Sequence, residues 1–254
     1  MRLIIILEWL LIIIVIVNSL ILNAKLCKIT YSKTAKFNIS RNKMLNLYKN
    51  YSLINDTKTR SICYIFNNKD EIDICFKGTS NIREIYYNFD IYQTTYIRDE
   101  IRIHKGFLSK YLSIKGEIIK RVNDILKIND IKKITFNGHS SGGAMATIAT
   151  LDIRERINRS SMIVNCITFG CPRVGNREFV NEYNRRINNS LRVVMKDDII
   201  QYVPFIPGYY HIHKETLLRG YMEFNISKFI NNMYGYMKTR HGITNYIKSL
   251  SRKH

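Results

Sequence analysis

Along residues 104–127, HKGFLSKYLSIKGEIIKRVNDILK, apolar side chains recur at Phe107, Leu108, Tyr111, Leu112, Ile118, Ile119, Val122, Ile125 and Leu126. That spacing predicts one amphipathic helix. Met44, Leu45, Leu47, Tyr48 and Tyr51 also fall at helical spacing, which predicts a helix within Asn38 to Ile54. Shorter apolar runs read as strands. MIVNCITFG (162–170) is almost continuously apolar, as in a strand buried on both faces of a parallel sheet. SLRVVMKDDII (190–200) reads as another strand, ending in two acids. SICYIF and IDICFK flank the polar turn NNKDE, which predicts a hairpin centred on Lys69, with Tyr64 opposite Ile74 and Cys63 facing Cys75. Strands alternating with helices predict an α/β fold with a mostly parallel sheet.

The segment KKITFNGHSSGGAMATIATLDI (132–153) breaks this rhythm by crowding serines and glycines between a strand-like and a helix-like run. Glycine is costly in regular structure, so the cluster marks a turn with no room for larger residues. Gly138-His139-Ser140-Ser141-Gly142 fits the G-x-S-x-G elbow, which presents a serine nucleophile between a strand and a helix. Such a serine needs a histidine to take its proton and an acid to orient that histidine. In this fold they follow in the order serine, acid, histidine. Asp197 and Asp198 are the candidate acids, and His211, His213, His241 and His254 are the candidate histidines. His139 is read as a packed side chain that the elbow turns away from Ser140. His211 and His213, two residues apart with no third ligand at metal spacing, do not read as a zinc site.

The 254 residues are 46% apolar, enough for one sizeable core, and no linker or repeat marks a second large domain. The formal charge of +20 would suit an anionic membrane surface or a nucleic acid. The basic residues are scattered, however, without a sustained block, which reads as a solvated surface and speaks against nucleic acid. Residues 1–24, MRLIIILEWLLIIIVIVNSLILNA, have Arg2 in front, an apolar run broken by Glu8, and small or polar residues behind. They read as a signal peptide cut after Ser19 or Ala24, with an uncleaved membrane anchor as the rival and 25–254 as the remaining domain. Either reading sends the chain to a secreted or luminal, oxidising location. There Cys63 and Cys75 would be either ordinary thiols or a cross-strand bridge. N-x-S/T sequons begin at Asn38, Asn50, Asn55, Asn158, Asn188 and Asn225, which in so Asn-rich a chain adds little.

Four separated stretches resemble the class 3 lipases, the fungal triacylglycerol lipase-like family of α/β hydrolases: CFKGTSNIRE, IHKGFLSKY, ITFNGHSSGGAMATIA and ITFGCPRVGNREF. The last is similar to the family's T-F-G-x-P-R-V-G-N stretch and is the most specific. The likeness extends over about residues 40 to 250. It implies an α/β-hydrolase fold with a short helical lid, and Ser140 as nucleophile. It selects Asp198 over Asp197 through DIIQYVP, and His241 through the late H-x-x-x-x-Y pattern in RHGITNY. It places Thr79 at the oxyanion position, with the backbone N–H of Ser141 as second donor. It reads NIREIYYNF as the lid, with Ile82, Ile85, Tyr86 and Phe89 on its apolar side. Arg173 and Asn176 are expected to fix loop geometry. Ser141 stands where leucine is usual, Lys77 where arginine is, and Asn88 where aspartate is common.

The resemblance thus implies a serine lipase or esterase that hydrolyses acylglycerols at a lipid–water interface through an acyl-enzyme, without metal or organic cofactor. The alternatives are a phospholipase A1 acting on anionic membranes, and a non-catalytic lipid-binding relic of the fold.

Overall fold

The computed structural model describes residues 2–32, 47–48, 50–79, 90–157, 161–212, 215–218 and 241–252. Helix α1 (Arg2–Ile29) leads into the strands β1 (Asn50–Asp56), β2 (Ser61–Asn67) and β3 (Glu71–Phe76). A ribbon, β4 (Gln93–Tyr96) and β5 (Arg98–His104), precedes α2 (Lys105–Ile128). There follow β6 (Lys133–His139), α3 (Ser141–Arg156), β7 (Ile163–Phe169), α4 (Arg177–Arg186), β8 (Asn189–Met195), β9 (Glu215–Leu218) and α5 (Ile243–Leu250). Seven strands form one sheet in the order β1-β2-β3-β6-β7-β8-β9. It is antiparallel from β1 to β3 and parallel from β3 to β9, an α/β-hydrolase sheet flanked by helices.

The period-2 alternation along the strands divides the core. Ile72, Ile74, Ile134, Phe136, Val164 and Cys166 face one way, into a cluster with Phe107, Tyr111 and Ile118 of α2 and with the small residues of α3. The opposite face meets α1 and α5 in two smaller clusters. The stripe expected for α2 forms, with Phe107, Leu108, Tyr111, Ile118 and Val122 buried, although Leu112 is exposed. His104 caps its start by accepting from the Phe107 N–H at 3.4 Å. Residues Ser141 to Ile153 of α3 are buried all round, and its alanines and glycines let the helix lie close to the sheet.

Two expectations need correcting. Residues 50–54 are not helical but belong to β1, because pairing with β2 overrides the local spacing. A turn in which Asp56 accepts from both the N–H and the hydroxyl of Thr59 joins the two strands. Met44 and Leu45 lie outside the described residues.

The second correction concerns the β2–β3 hairpin. Asn68 closes it, donating its N–H to Glu71 O at 3.0 Å while its side chain accepts from the N–H groups of Asp70 and Glu71. Only Lys69 and Asp70 then lie in the loop, so every pair shifts by one residue. Tyr64 pairs with Cys75, Ile65 with Ile74, and Cys63 with Phe76. That shift sends Cys63 and Cys75 to opposite faces of the sheet. All five cysteines are free thiols, so of the two readings for Cys63 and Cys75 the ordinary thiols hold.

Candidate active site

At the end of β6 the chain must reverse into α3 within two residues. Ser140 absorbs this turn with φ 61° and ψ −134°. Such a backbone conformation costs a non-glycine residue about 1–3 kcal/mol and is held only where the surroundings fix it. Here the Ser140 N–H donates to Phe169 O at 2.9 Å, and Gly138 allows the close approach, since a Cβ there would collide with the carbonyl of Gly142. The Ser140 Oγ is buried and has no hydrogen-bond partner among the described residues.

Past the end of β8, Asp198 N–H donates to Met195 O at 3.0 Å and turns the acid back over the sheet. Its Oδ1 accepts from Ile200 N–H at 3.0 Å, which caps the short 3-10 helix Ile199–Tyr202. Its Oδ2 accepts from His241 Nδ1 at 2.7 Å and from the Tyr246 hydroxyl at 2.6 Å. Burial pushes this carboxyl up, but His241, Tyr246 and the Ile200 N–H together hold it below its ordinary value. Gly170, at φ +53°, lets the end of β7 pass beside it, because a Cβ there would strike Asp198 Oδ2. Asp197 is buried next door, yet the bond to His241 runs from Asp198.

With Nδ1–H committed to the carboxylate, Nε2 is the ring nitrogen left to accept a proton. That atom is buried and, like Ser140 Oγ, lacks a partner among the described residues. Both groups are desolvated and unsatisfied, and they are of the types that the base and the nucleophile of a serine site require.

His139 supports this pair. Its Nε2 lies 2.6 Å from His241 O, and since a carbonyl only accepts, Nε2 carries the proton. Its Nδ1 then accepts from the Tyr31 hydroxyl at 2.9 Å. Burial, and then the neighbouring His241, push His139 down to about 3, so the ring stays neutral and is no base. Its ring stacks on that of His241 with centroids 4.5 Å apart.

His211 is likewise structural. Its Nε2 donates to Gln201 O at 2.6 Å, and Gln201 in turn donates to Met195 O and Asp198 O, bracing the acid turn. His213 and His254 lie outside the described residues. Arg173 donates to Pro204 O, and Asn176 caps α4 while binding Glu100 O, so both hold loops as expected.

Thr79 and Ser141 meet, in a way the sequence does not suggest. Thr79 N–H donates to Ser141 Oγ at 2.9 Å, and the two hydroxyls lie 3.0 Å apart. The Ser141 side chain thus engages the same Thr79 donors expected to face a substrate oxygen. Tyr246 carried a sequence signal, its spacing from His241. Tyr31 carried none, standing 108 positions from His139. The lid residues Ile82, Ile85, Tyr86 and Phe89 lie outside the described residues.

Residues 74–208 match the family described as Lipase (class 3). A secreted mono- and diacylglycerol lipase of Fusarium solani is 31% identical over 168 residues, 65% of this chain and 49% of that protein. A lipase of Rhizopus niveus is 31% identical over 160 residues, 60% of this chain and 39% of the relative. The chain therefore spans at most about half the length of these curated relatives. A chloroplastic phospholipase A(1) of Arabidopsis thaliana is 36% identical over 108 residues, 40% of this chain and 24% of that one. Among solved structures, the Rhizomucor miehei triacylglyceride lipase superposes with a TM-score of 0.72 at 24% identity, covering 79% of both chains.

Proposed function

This chain belongs to the class 3 lipase family, and on that footing we propose that it is a serine lipase that hydrolyses acylglycerol esters. The observation that carries the reading is that Ser140 Oγ and His241 Nε2 are both buried and without a partner among the described residues, while the other nitrogen of His241 is held by Asp198. In this reading Ser140 Oγ attacks the ester carbonyl carbon while its proton passes to His241 Nε2. Asp198 stabilises the imidazolium that forms. The backbone N–H groups of Thr79 and Ser141 receive the oxyanion, once the Thr79 N–H leaves Ser141 Oγ. The tetrahedral intermediate collapses, His241 gives its proton to the departing alcohol, and an acyl-serine remains. Water, deprotonated by His241, then attacks the acyl carbon and frees the carboxylic acid and Ser140.

The same reading gives Ile82, Ile85, Tyr86 and Phe89 the role of a lid that opens at a lipid surface. It puts the catalytic part on the secreted or luminal side of a membrane. A phospholipase A1 activity is the second reading, favoured by the plant relative and by a net charge of +20 that suits anionic bilayers.

A fluorophosphonate probe should label Ser140 and no other residue, and absence of labelling would leave only a lipid-binding relic. Hydrolysis of triolein emulsions faster than of phosphatidylglycerol vesicles supports the lipase, and the reverse order supports the phospholipase. A break in rate where a short-chain ester exceeds its solubility supports the lid, whereas smooth saturation rejects it.

A further inference from the structure

We propose that the N-terminal helix is retained in the working protein and anchors the catalytic domain in a lipid bilayer. Helix α1 is a single unbroken element, yet its two ends have opposite surroundings. From Leu20 onward it is part of the domain. Leu20, Ala24 and Cys27 share an apolar cluster with Phe169, Val193 and Tyr246, while Leu26 and Ile29 share another with Phe66 and Cys75. One turn later the Tyr31 hydroxyl donates to His139, whose N–H holds the carbonyl of His241. The end of α1 therefore supports the backbone of the proposed base.

Among the described residues, the other end joins neither of these clusters. Every residue from Leu10 to Ile16 is apolar and between 47% and 62% exposed. Seven consecutive positions cover nearly two turns and so every side of the helix. A helix lying on a protein surface buries one stripe and shows polar residues on the other. This one is apolar all round and exposed all round, which suits only a surrounding that is itself apolar on all sides.

Its length fits that surrounding. Residues 2–19 rise about 27 Å at ~1.5 Å per residue, close to the ~30 Å hydrocarbon thickness of a bilayer. Arg2 stands at one end. The only acid in the span, Glu8, lies about 9 Å along the axis from Arg2, on that side of the midpoint. At the other end the chain turns polar at Asn18 and Ser19, and Lys25 and Lys28 follow at headgroup level, where anionic lipids attract them.

The point after Ala24 marks no boundary in the structure, whereas the point after Ser19 falls where the helix enters the core, so the case against a cut there rests on the unbroken helix. The helix runs through both, with the Asn23 side chain donating to Ser19 O at 2.7 Å, and Leu20 and Ala24 are already core residues. Cutting after Ala24 would remove both from beneath α5.

The test uses the full chain with a C-terminal epitope tag, expressed in eukaryotic cells, and needs no activity assay, so it stands apart from the catalytic reading. The expected result is a chain that stays with the membrane through alkaline carbonate and leaves it only in detergent, with N-terminal peptides from before Leu20 recovered by mass spectrometry. The double substitution Ile12→Arg with Ile16→Arg lies outside the core. Purified in detergent and dialysed against phosphatidylcholine vesicles, that variant should co-float at least tenfold less than the parent and unfold at the same temperature. Mature protein beginning at Leu20 or Lys25 would overturn the proposal. So would an intact chain soluble without detergent, including a soluble dimer in which a second copy covers the helix.

Discussion

On the face of the sheet covered by α2 and α3, the inward residues form one continuous apolar cluster from Ile54 to Ile212. On the face covered by α1 and α5 the apolar residues split into two groups, and buried polar side chains run between them. There Asp73 accepts from Tyr48 and Asn137, Tyr31 bonds His139, His139 bonds His241, and His241 bonds Asp198. The two faces are the two sides of the same strands: Phe136 points one way, Asn137 and His139 the other. One side supplies burial, and the other spends part of that stability on desolvated polar groups around Ser140 and His241. The contrast explains how a strained serine and several buried ionisable groups persist in a domain of this size.

Breaking the polar side at its centre should abolish chemistry and spare the fold. Ser140→Ala, Asp198→Asn and His241→Ala are each expected to lower ester hydrolysis by about 10⁴-fold or more, with the fold retained. Combining Ser140→Ala with His241→Ala should cost little beyond either alone. Full activity after His241→Ala would refute the assignment.

Breaking the apolar side should do the opposite. Ile118 is fully buried against the sheet, so Ile118→Ala is expected to destabilise by about 2–5 kcal/mol in urea unfolding. Turnover per folded molecule should stay within twofold, and a selective loss of turnover would show that the two faces are not separable.

Asp73 sharpens the contrast, because burial raises its carboxyl to about 6 despite the bonds from Tyr48 and Asn137. A carboxyl raised on folding adds stability below about pH 4 that is lost as pH rises through 6. Asp73→Asn should therefore stabilise the protein at pH 7.5 by on the order of 3 kcal/mol and change little at pH 4. His139 and His211, both held down to about 3, slope the other way, since they must charge on unfolding below about 6.5. The difference between variant and parent isolates Asp73, and equal stabilisation at both pH values would disprove the account.

The smallest effect belongs to Ser141. Its hydroxyl takes the Thr79 N–H, a bond that must break before that donor can meet an oxyanion. Ser141→Ala removes the competitor, and kcat should rise about 2- to 10-fold, matching a net hydrogen bond of ~0.5–1.5 kcal/mol. A fall in kcat would instead mean that Ser141 holds Thr79 in place.

Much of this was legible along the chain because it depends on near neighbours. The stripe of α2, the apolar runs of β7 and β8 and the glycine-rich turn before α3 are local patterns, set by helical and strand periodicity and by the steric limits of one turn. The order of Ser140, Asp198 and His241 was legible as well, although only a resemblance chose Asp198 over Asp197, and the structure gives the bond to His241. What periodicity could not reach was whatever depends on a partner distant in sequence or on a half-residue offset. The spacing around Tyr51 suits a helix until β2 offers a strand to pair with. The hairpin register turned on one Asn68 side chain, and its shift separated two cysteines. Tyr31, just past what reads as a leader, meets His139 only because α1 packs across the sheet. The sequence by itself determined which elements form and which residue types the site holds. Tertiary structure alone decided which side chains complete the site, because those hydrogen bonds exist only once separate elements are packed within about 3 Å of one another.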